Sequence, residues 1–323
     1  MTMNWSGQRV LVTGGAGFIG SCLVRKLLSL GCEVSVADNF SRGKRENIES
    51  LLEEITLHHV DLTKLENCLL TTKNIDYVFH LAASVGGIHY IAKENVEGST
   101  PSLLMNTNML EAARINVVEN FLFTSSACVY YEKSGLLNRF KEEDAYPANP
   151  ATTYGWSKLI GEIQCRSYHL DYGINTSSVR IFNAYGEREN LDPKWSHVIP
   201  SLIRKAVLSP KEDFRIFGDG QQERAFLYVE DCVDGLIHSI EKIKDGNIIN
   251  LGSEELVSIG ELAQKIVKIS GNNIVVKFDL SGPQGTHRYC ADTQKMKQIL
   301  DWQPKISLDA GLKRTYEWIS EHA

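Results

Sequence analysis

A cluster of glycines near the amino terminus, GGAGFIG at residues 14–20, places the strongest constraint on the fold of this chain. A short apolar run at residues 9–13 precedes it, and apolar residues at helical spacing follow over residues 18–30. A second apolar run, at residues 33–37, ends at Asp38. This order of strand, glycine turn, helix and strand within about 30 residues is typical of the first unit of a parallel α/β sheet.

The same alternation continues along the chain and predicts the fold class. Apolar runs at residues 76–81, 120–124 and 176–181 predict buried parallel strands, and residues 102–115 and 157–172 have helical periodicity. Parallel strands joined by right-handed crossovers form a doubly wound sheet. We therefore predict a Rossmann fold with a smaller α/β lobe on its carboxyl-terminal side.

The regular alternation of predicted strands and helices ends after Asn183. We use this change to place the predicted domain boundaries. We assign residues 1–183 plus about 226–250 to the sheet domain, so that it is discontinuous in sequence. The remaining residues, about 184–225 and 251–323, form the smaller lobe, in which we predict one strand at residues 273–278 in the tail.

Composition excludes several classes of protein. The chain has 323 residues, and its net charge of −6 provides no global field for binding nucleic acid. No apolar stretch approaches the roughly 20 residues of a membrane-spanning helix. The seven cysteines include no CxxC pair, which argues against a disulfide framework or a metal site. We expect a cytoplasmic protein without a metal.

The glycine turn has the properties of a dinucleotide site. One glycine permits a tight turn, one lets the backbone approach a pyrophosphate and one lets the helix pack on the strand, while the helix amino terminus faces the phosphates. Asp38 can accept hydrogen bonds from ribose hydroxyls, which favours NAD over NADP. The predicted cofactor contacts are Gly14, Gly17, Phe18, Ile19, Gly20, Asp38, Asn39, Asp61, Leu62, Leu81, Ala82, Ala83, Tyr154 and Lys158.

Two details of this region have alternative interpretations. Asp61 lies where a third strand should end, and it either meets the adenine or caps the helix that follows. Arg42 and Lys44 could offset the repulsion between Asp38 and a 2′-phosphate, but we expect them to lie in a solvated loop.

Tyr154 and Lys158 form a YxxxK pair that predicts acid–base chemistry. Residues four apart share one face of a helix, so that an ammonium beside the phenol should lower the tyrosine pKa from its ordinary value near 10. A phenolate of that kind can act as a base near neutral pH. Ser126, at the end of a predicted strand, can hold the substrate oxygen.

Five motifs together resemble a known family, the extended short-chain dehydrogenases of the NAD-dependent epimerase/dehydratase type. They are residues 14–20, 81–83, 125–126, the Tyr154/Lys158 pair and residues 180–186. The resemblance implies a tightly bound NAD or NADP and a nucleoside-diphosphate sugar as substrate. A homodimer is usual for this fold family and is expected by analogy.

Two further features, Cys128 and the sequence VGGI at residues 85–88, are similar to both the GDP-mannose 3,5-epimerases and the GDP-fucose synthases of that family. A third, SHVIP at residues 196–200, resembles the synthases in particular, whereas the plant-type 3,5-epimerases have lysine where this chain has His197. The resemblance implies that Cys128 and His197 act as acid and base at C3 and C5 of the sugar. Once C4 is a ketone, the protons on both carbons are acidic, and Cys and His have suitable pKa values. The alternative for Cys128 is a small buried apolar residue, and for His197 an orienting or packing role.

We therefore expect an epimerase that inverts C3 and/or C5 of a GDP-hexose through a transient 4-keto intermediate. Tyr131 and Ser102 depart from both groups, which have proline and asparagine there. The synthases use NADPH, whereas Asp38 favours NAD. A 4-keto-sugar epimerase/reductase, a C4 epimerase or a C4 dehydrogenase are the enzymatic alternatives, and a cofactor-sensing regulator is the non-catalytic one.

The expected substrate contacts also follow from the resemblance. Arg224 and Arg288 resemble diphosphate-binding arginines, and a guanidinium suits bidentate binding of a pyrophosphate. The predicted substrate residues are Gly86, Gly87, Asn183, Val198, Lys205, Arg224 and Arg288, and we assign His80, His89 and His238 to structural roles.

Overall fold

The structure is a computed structural model that describes residues 3–84, 96–131, 138–281 and 288–323. The strands are β1 Arg9–Thr13, β2 Glu33–Asp38, β3 Ile55–His59, β4 Tyr77–His80, β5 Asn120–Ser126, β6 Asn138–Phe140, β7 Asn175–Ile181, β8 Ala184–Tyr185, β9 Arg215–Phe217, β10 Glu223–Ala225, β11 Leu227–Tyr228, β12 Ile248–Leu251, β13 Leu256–Ser258, β14 Lys277–Asp279 and β15 Arg288–Ala291. The α-helices are α1 Phe18–Ser29, α2 Leu65–Thr71, α3 Val96–Ile115, α4 Thr153–Tyr172, α5 Val198–Leu208, α6 Val229–Lys242, α7 Ile259–Ser270, α8 Gln294–Leu300 and α9 Leu308–His322.

A seven-stranded parallel sheet forms the centre of the molecule, in the order β12-β7-β5-β4-β1-β2-β3. The predicted Rossmann fold is therefore confirmed. The strand order reverses between β1 and β4, and ligands of open α/β sheets bind outside the carboxyl ends of the strands at such a point. The sheet thus places the carboxyl ends of β1, β4, β5 and β7 beside one another.

Helices cover both faces of the sheet, which explains why its central strands are apolar throughout. On one face, α1 and α6 pack together through residues such as Leu23, Leu27 and Leu236. On the other face, α3 and α4 lie side by side over Phe121 and Phe123. No helix in the described ranges is long and apolar enough to cross a membrane.

The α4 helix begins four residues earlier than the sequence pattern predicts, and this difference matters for the site. The hydroxyl of Thr152 accepts a hydrogen bond from the Gly155 amide at 3.1 Å and so caps the helix. The first turn of α4 therefore contains Tyr154. The α3 helix likewise begins at Val96 rather than at residue 102.

A second, four-stranded sheet has the order β13-β10-β15-β6 and mixes parallel and antiparallel pairs. The predicted strand at residues 273–278 is wrong in its bounds, because β14 covers only Lys277–Asp279. Its partner β9 offers just three residues for pairing. The tail also contains β13 and β15, which the sequence pattern did not indicate. Strand β12 lies in the large sheet and strand β6 in the smaller one. The domain boundaries themselves stay a prediction.

Candidate active site

A cavity of about 1180 Å³ opens at the carboxyl ends of the central strands. Ligand pockets commonly measure about 300–1000 Å³, so this one has room for more than one small molecule. Its wall includes every described residue that the sequence predicted for cofactor, substrate or catalysis except Arg288. Gly86 and Gly87 lie outside the described residues.

The cofactor half of the cavity is built on the glycine turn. A Cβ atom at Gly20 would lie 2.2 Å from the Gly14 carbonyl oxygen, so only glycine allows α1 to approach the turn this closely. The Thr13 hydroxyl accepts hydrogen bonds from the amides of Leu81 and Ala82, both at 3.1 Å, which holds the end of β4 against β1. With the α1 amino terminus facing the cavity, these residues fit a dinucleotide pyrophosphate.

Asp38 is buried on this wall and is held by backbone amides. Its Oδ2 accepts from the Ala16 amide at 2.9 Å and its Oδ1 from the Phe40 amide at 2.8 Å. Burial raises the pKa of Asp38, although these hydrogen bonds and His59 act to lower it. The carboxylate is fixed in position by the glycine turn itself, which suits a group that must meet ribose hydroxyls.

Asp61 also lies on the cavity wall, and the interpretation of this residue as a helix cap is wrong. The N-cap of α2 is Lys64, three residues later. The Asp61 Oδ1 instead accepts hydrogen bonds from the amide and hydroxyl of Thr63, at 2.9 and 2.8 Å. A role near the adenine stays a prediction.

We predicted from the sequence that Arg42 lies in a solvated loop. The structure contradicts this prediction. Its guanidinium carbon is 3.4 Å from the centroid of the Trp195 ring, and both residues line the cavity. Such a stacked cation–π contact joins the loop after β2 to the loop before α5. Nothing local in the sequence connects two residues so far apart, and Trp195 was missed for that reason.

Ser126, Cys128, Tyr154 and Lys158 also lie on the cavity wall, where they form its catalytic side. Ser126 ends β5, and its Oγ accepts a hydrogen bond from the Cys128 amide at 3.1 Å, which forms a short 3₁₀ turn. A Cβ atom at Gly155 would lie 2.2 Å from the Cys128 carbonyl oxygen. The glycine after Tyr154 therefore lets α4 pack directly on the turn that carries the cysteine.

We predicted that Lys158 lowers the pKa of Tyr154. For the protein without a bound cofactor, this prediction is wrong. Burial raises the pKa of Tyr154, Cys128 raises it further, and a hydrogen bond with Ser126 lowers it. Burial also lowers the pKa of Lys158 to about 8, against the opposing effects of Cys128 and Glu162. The ammonium donates to the Thr124 carbonyl at 2.7 Å and lies 5.7 Å from the Tyr154 ring centroid.

His197 stands at the N-cap position of α5 and pairs with a residue that the sequence interpretation missed. Its Nδ1 lies 2.5 Å from Oε1 of Glu189, a carboxylate that is only 4% exposed. The His197 side chain itself is 54% exposed and lines the cavity. Glu189 lies three residues after the end of the motif at residues 180–186, and this closeness is the signal that could have drawn attention to it.

The remaining predicted substrate residues fall into two groups. Asn183, Val198, Lys205 and Arg224 line the cavity. Arg288 does not, because the pairing of β10 with β15 places it directly opposite Glu223, with which it forms an ion pair. Its predicted contact with a diphosphate stays a prediction.

The cavity wall is rich in cations, in contrast to the acidic chain. Arg188 and Arg215 line it although the sequence interpretation had not selected them. Together with Arg42, Lys205 and Arg224 they outnumber the carboxylates among the described lining residues. A concave positive surface of this kind attracts anionic ligands. Among the described residues, no group of three or more His, Cys, Asp or Glu side chains could hold a metal ion.

Comparison with known sequences decides the family. The profile of the NAD dependent epimerase/dehydratase family matches residues 10–252. The chain belongs to this family. The resemblance inferred from the glycine turn, the YxxxK pair and residues 180–186 is therefore confirmed.

Individual members of the family show similarity over nearly the whole chain. GDP-mannose 3,5-epimerase 1 of Oryza sativa subsp. indica is 35% identical over 97% of this chain and 82% of its own length. GDP-L-fucose synthase of Sinorhizobium fredii is 33% identical over 96% of this chain and 95% of its own. The predicted resemblance to these two kinds of protein is thus confirmed.

A solved structure of the same family provides the comparison in three dimensions. UDP-glucuronic acid 4-epimerase of Bacillus cereus, in complex with UDP-glucuronic acid and NAD, has a TM-score of 0.86 to this chain. The two are 30% identical, and the match covers 98% of this chain and 100% of the other. Likeness to proteins with three different activities leaves the substrate to be argued from the site.

Within the family fold, a buried ion pair supports the catalytic side of the cavity. Arg180 on β7 donates to both carboxylate oxygens of Glu162, at 2.8 and 2.7 Å, and both side chains are fully buried. Glu162 lies one turn after Lys158 on α4, and it also accepts from the Ser125 hydroxyl at 2.5 Å. Removing one partner of such a pair leaves an uncompensated buried charge, so it holds β5, β7 and α4 in a fixed arrangement.

His80 has the structural role that we predicted. Its Nδ1 lies 2.8 Å from the Thr13 hydroxyl and its Nε2 lies 3.0 Å from Oδ1 of Asn106. Burial lowers the pKa of His80 to about 3, with Lys158 acting in the same direction. The ring is therefore neutral and links β1 to α3 beneath the cofactor half of the cavity.

Proposed function

We propose that this protein is a nucleotide-sugar epimerase that inverts C3 and/or C5 of a GDP-hexose through a transient 4-keto intermediate. The observation that carries the proposal is the presence of Cys128 and His197 on the wall of the same cavity as Ser126, Tyr154 and Lys158. Ser126, Tyr154 and Lys158 can assist the oxidation and later reduction of C4. Cys128 and His197 can exchange protons on the adjacent carbons, C3 and C5.

The first set acts on the C4 hydroxyl. Tyr154 would take the hydroxyl proton once the positive charges of Lys158 and of bound NAD offset the burial that raises its pKa in the protein alone, and Ser126 holds the oxygen beside it, as their mutual hydrogen bond indicates. Lys158, fixed by the Thr124 carbonyl, provides the nearby positive charge. Bound NAD, held at the glycine turn and Asp38, would supply the acceptor and later the donor of the C4 hydride.

The second set acts on the carbons beside the ketone. A C4 carbonyl makes the protons on C3 and C5 acidic, and inversion needs one group to remove a proton and another to deliver one to the opposite face. Cys128 projects from the catalytic side of the cavity, and His197 from the loop before α5. Reduction of the ketone then closes a cycle with no net oxidation.

Charge on the wall supports a diphosphate substrate. The cations Lys205, Arg215 and Arg224 come from α5, β9 and β10 of the smaller lobe, away from the glycine turn. Guanidinium groups bind phosphate oxygens in pairs. The choice of guanine as the base follows from the relatives with 35% and 33% identity, both named for GDP-sugars.

Solvent isotope exchange tests the proposal. The purified protein is incubated with GDP-mannose in D₂O, and the sugar is followed by NMR. We expect deuterium at C3 or C5 together with an epimerised product. Recovery of unlabelled sugar with inversion or oxidation at C4 alone would contradict the proposal and favour a C4 epimerase or dehydrogenase.

A 4-keto-sugar epimerase/reductase is the second candidate, supported by the similarity to GDP-L-fucose synthase. That reaction consumes a reduced cofactor, whereas the proposed epimerase starts with NAD and regenerates it in each cycle. Mixing the protein with a GDP-4-keto-hexose and NADH or NADPH, and following the absorbance of the reduced cofactor, separates the two. Stoichiometric loss of absorbance would favour the reductase.

We propose NAD rather than NADP as the cofactor, and Asp38→Asn tests this choice. The substitution removes the negative charge that repels a 2′-phosphate and weakens the hydrogen bonds to the ribose. Hydrogen bonds to a charged group contribute about 1.5–3 kcal/mol, so the affinity for NAD should fall about 10- to 100-fold and the preference over NADP should narrow. Calorimetric titration of both cofactors measures the ratio.

The matched control for this experiment is Asp61→Asn, which alters a carboxylate on the same cavity wall that accepts hydrogen bonds from the amide and hydroxyl of Thr63. We expect it to leave the ratio of the two affinities unchanged. An unchanged ratio in Asp38→Asn would argue against the role of Asp38 in cofactor choice.

We further propose a homodimer, located in the cytoplasm, where the seven cysteines, all free, would stay reduced. The apolar side chains Trp156, Ile160 and Ile163 follow one face of α4 and are 40%, 37% and 50% exposed. A second copy of the chain would cover this stripe, as is usual for closed symmetric oligomers.

Placing a charge in this stripe should separate the subunits. Ile163→Glu buries an unpaired carboxylate in the proposed interface, and we expect sedimentation velocity to show monomers where the unaltered protein sediments as a dimer. Val275→Glu, which changes an exposed apolar residue in the smaller lobe, is the control and should remain dimeric. A dimeric Ile163→Glu protein would place the interface elsewhere.

A further inference from the structure

We propose that Glu189 is a positioning residue for His197: its carboxylate accepts a hydrogen bond from Nδ1–H and leaves Nε2 as the nitrogen that exchanges a proton with the substrate. The role of His197 in turnover rests on the proposed function. The contact between the two side chains does not, and it can be tested separately.

The geometry of the pair is that of a buried acceptor and an accessible ring. Oε1 of Glu189 lies 2.5 Å from Nδ1 of His197, and an ionised carboxylate can only accept, so Nδ1 must carry the proton. Glu189 is buried, whereas the imidazole is 54% exposed toward the cavity. Nε2 is therefore the ring nitrogen that a ligand can reach, as a base when neutral and as an acid when protonated.

The second carboxylate oxygen supports a dedicated role for Glu189. Oε2 is buried and has no hydrogen-bond partner among the described residues. A buried carboxylate is costly unless it is paired, and within the part of the chain that the structure describes Glu189 is paired with His197. A purely structural glutamate in this loop would be expected to satisfy both oxygens or to turn toward solvent. Glu187, two residues earlier, is only half-buried and accepts a hydrogen bond from the Tyr228 hydroxyl at 2.6 Å.

The local backbone explains how Glu189 reaches its position. Arg188, two residues after the motif that ends at Gly186, has a left-handed conformation, with φ of 67°. Non-glycine residues adopt this conformation at a cost of the order of 1–3 kcal/mol and often near functional sites. The turn directs Glu189 inward while Glu187 and Arg188 stay nearer the surface.

The position of His197 explains why a carboxylate is needed beside it to stabilise the protonated imidazole. His197 is the N-cap of α5, and a helix amino terminus disfavours a positive charge. The other charged groups of this wall and loop include the cations Arg42, Arg188, Lys194 and Lys205 and the carboxylates Glu187 and Asp192, but Glu189 is the charged group that acts on the His197 pKa. Desolvation within the cavity lowers the pKa of His197, but the charge and hydrogen bond of Glu189 outweigh it and the pKa is raised.

Titration of His197 by NMR tests the contact without any substrate. Its imidazole resonance is assigned from its absence in His197→Asn. In Glu189→Gln the positive charge loses its partner, and we expect the pKa of His197 to fall by about 1 to 3 pH units. Glu187→Gln removes a carboxylate two residues away that does not contact the ring, and it should leave the His197 pKa unchanged. Glu189→Asp keeps the charge and should restore part of the shift.

A second measurement uses the unaltered protein and does not depend on folding of a variant. Two-bond ¹H–¹⁵N correlation spectra distinguish the tautomers of a neutral imidazole. We expect His197 to carry its proton on Nδ1. A proton on Nε2, or the same His197 pKa in Glu189→Gln as in the unaltered protein, would overturn the proposal.

The activity readout separates this proposal from the proposed function. If His197 exchanges protons at C3 or C5, the pH profile of deuterium incorporation in Glu189→Gln should shift to lower pH by as much as the His197 titration does. A shifted titration in a protein that never exchanges these protons would leave the contact established and contradict the epimerase instead.

Discussion

Tyr154→Phe should lower the turnover of the proposed epimerase by about 100- to 10,000-fold, the range that a positioned acid–base group supplies. The phenol is the group placed to remove the C4 hydroxyl proton, and its hydrogen bond with Ser126 orients it for this. Without it, the ketone that acidifies C3 and C5 does not form. Deuterium incorporation at both carbons should therefore fall together with product formation.

Tyr172→Phe is the matched control, because Tyr172 ends the same helix and is exposed. It should behave like the unaltered protein. Ligand binding by Tyr154→Phe should also be preserved, since the arginines and lysines of the cavity are untouched. Unchanged turnover in Tyr154→Phe would show that the chemistry starts elsewhere in the cavity.

Cys128→Ala should have an effect of similar size but at a different step. Removal of the thiol takes away one of two proton carriers, and we expect epimerisation to fall by about 100- to 10,000-fold. The hydroxyl chemistry at C4 depends on Tyr154, Ser126 and Lys158, and it should survive. A single-turnover experiment should therefore still show reduction of bound cofactor, seen by its absorbance, without an inverted product.

Cys22→Ala is the control for the loss of a thiol, since Cys22 is outside the cavity wall. It should epimerise normally. Full epimerisation by Cys128→Ala would make the thiol a small packing residue and would favour a C4 epimerase, the activity named for the compared Bacillus cereus structure.

Local patterns in the sequence were enough to predict much of the fold and the core of the site. The glycine turn, the strand before it and the helix after it are neighbours along the chain, so that spacing alone defines their geometry. The same holds for Tyr154 and Lys158, which one helical turn brings together. Each of these residues lies where the pattern indicates.

Features that depend on contacts between distant segments could not be predicted in this way. Arg42 meets Trp195, and Glu223 neutralises Arg288, only because of how loops and strands pair in three dimensions. Glu189 is close to His197 in sequence, but its burial depends on the turn at Arg188. A pattern of residue types contains no information on strand register or on a left-handed backbone.

The Tyr154 pKa illustrates a different limit of sequence reasoning. The YxxxK spacing correctly predicts that the ammonium lies near the phenol, but not how deeply both are buried. Burial disfavours the charged form of each group, which raises the pKa of the tyrosine and lowers that of Lys158. Proximity fixes the partners, whereas desolvation decides the direction of the shift.

The central claim is that bound NAD is reduced and then reoxidised within each catalytic cycle. Multiple turnover without added nicotinamide cofactor tests this claim most directly. The purified protein is mixed with a GDP-hexose in large molar excess, and product is counted against subunits by NMR while absorbance reports reduced cofactor. We predict many molecules of C3- or C5-inverted product per subunit and no accumulation of reduced cofactor. Product that stops at one equivalent per subunit, or that forms only when NADPH is supplied, would contradict the account.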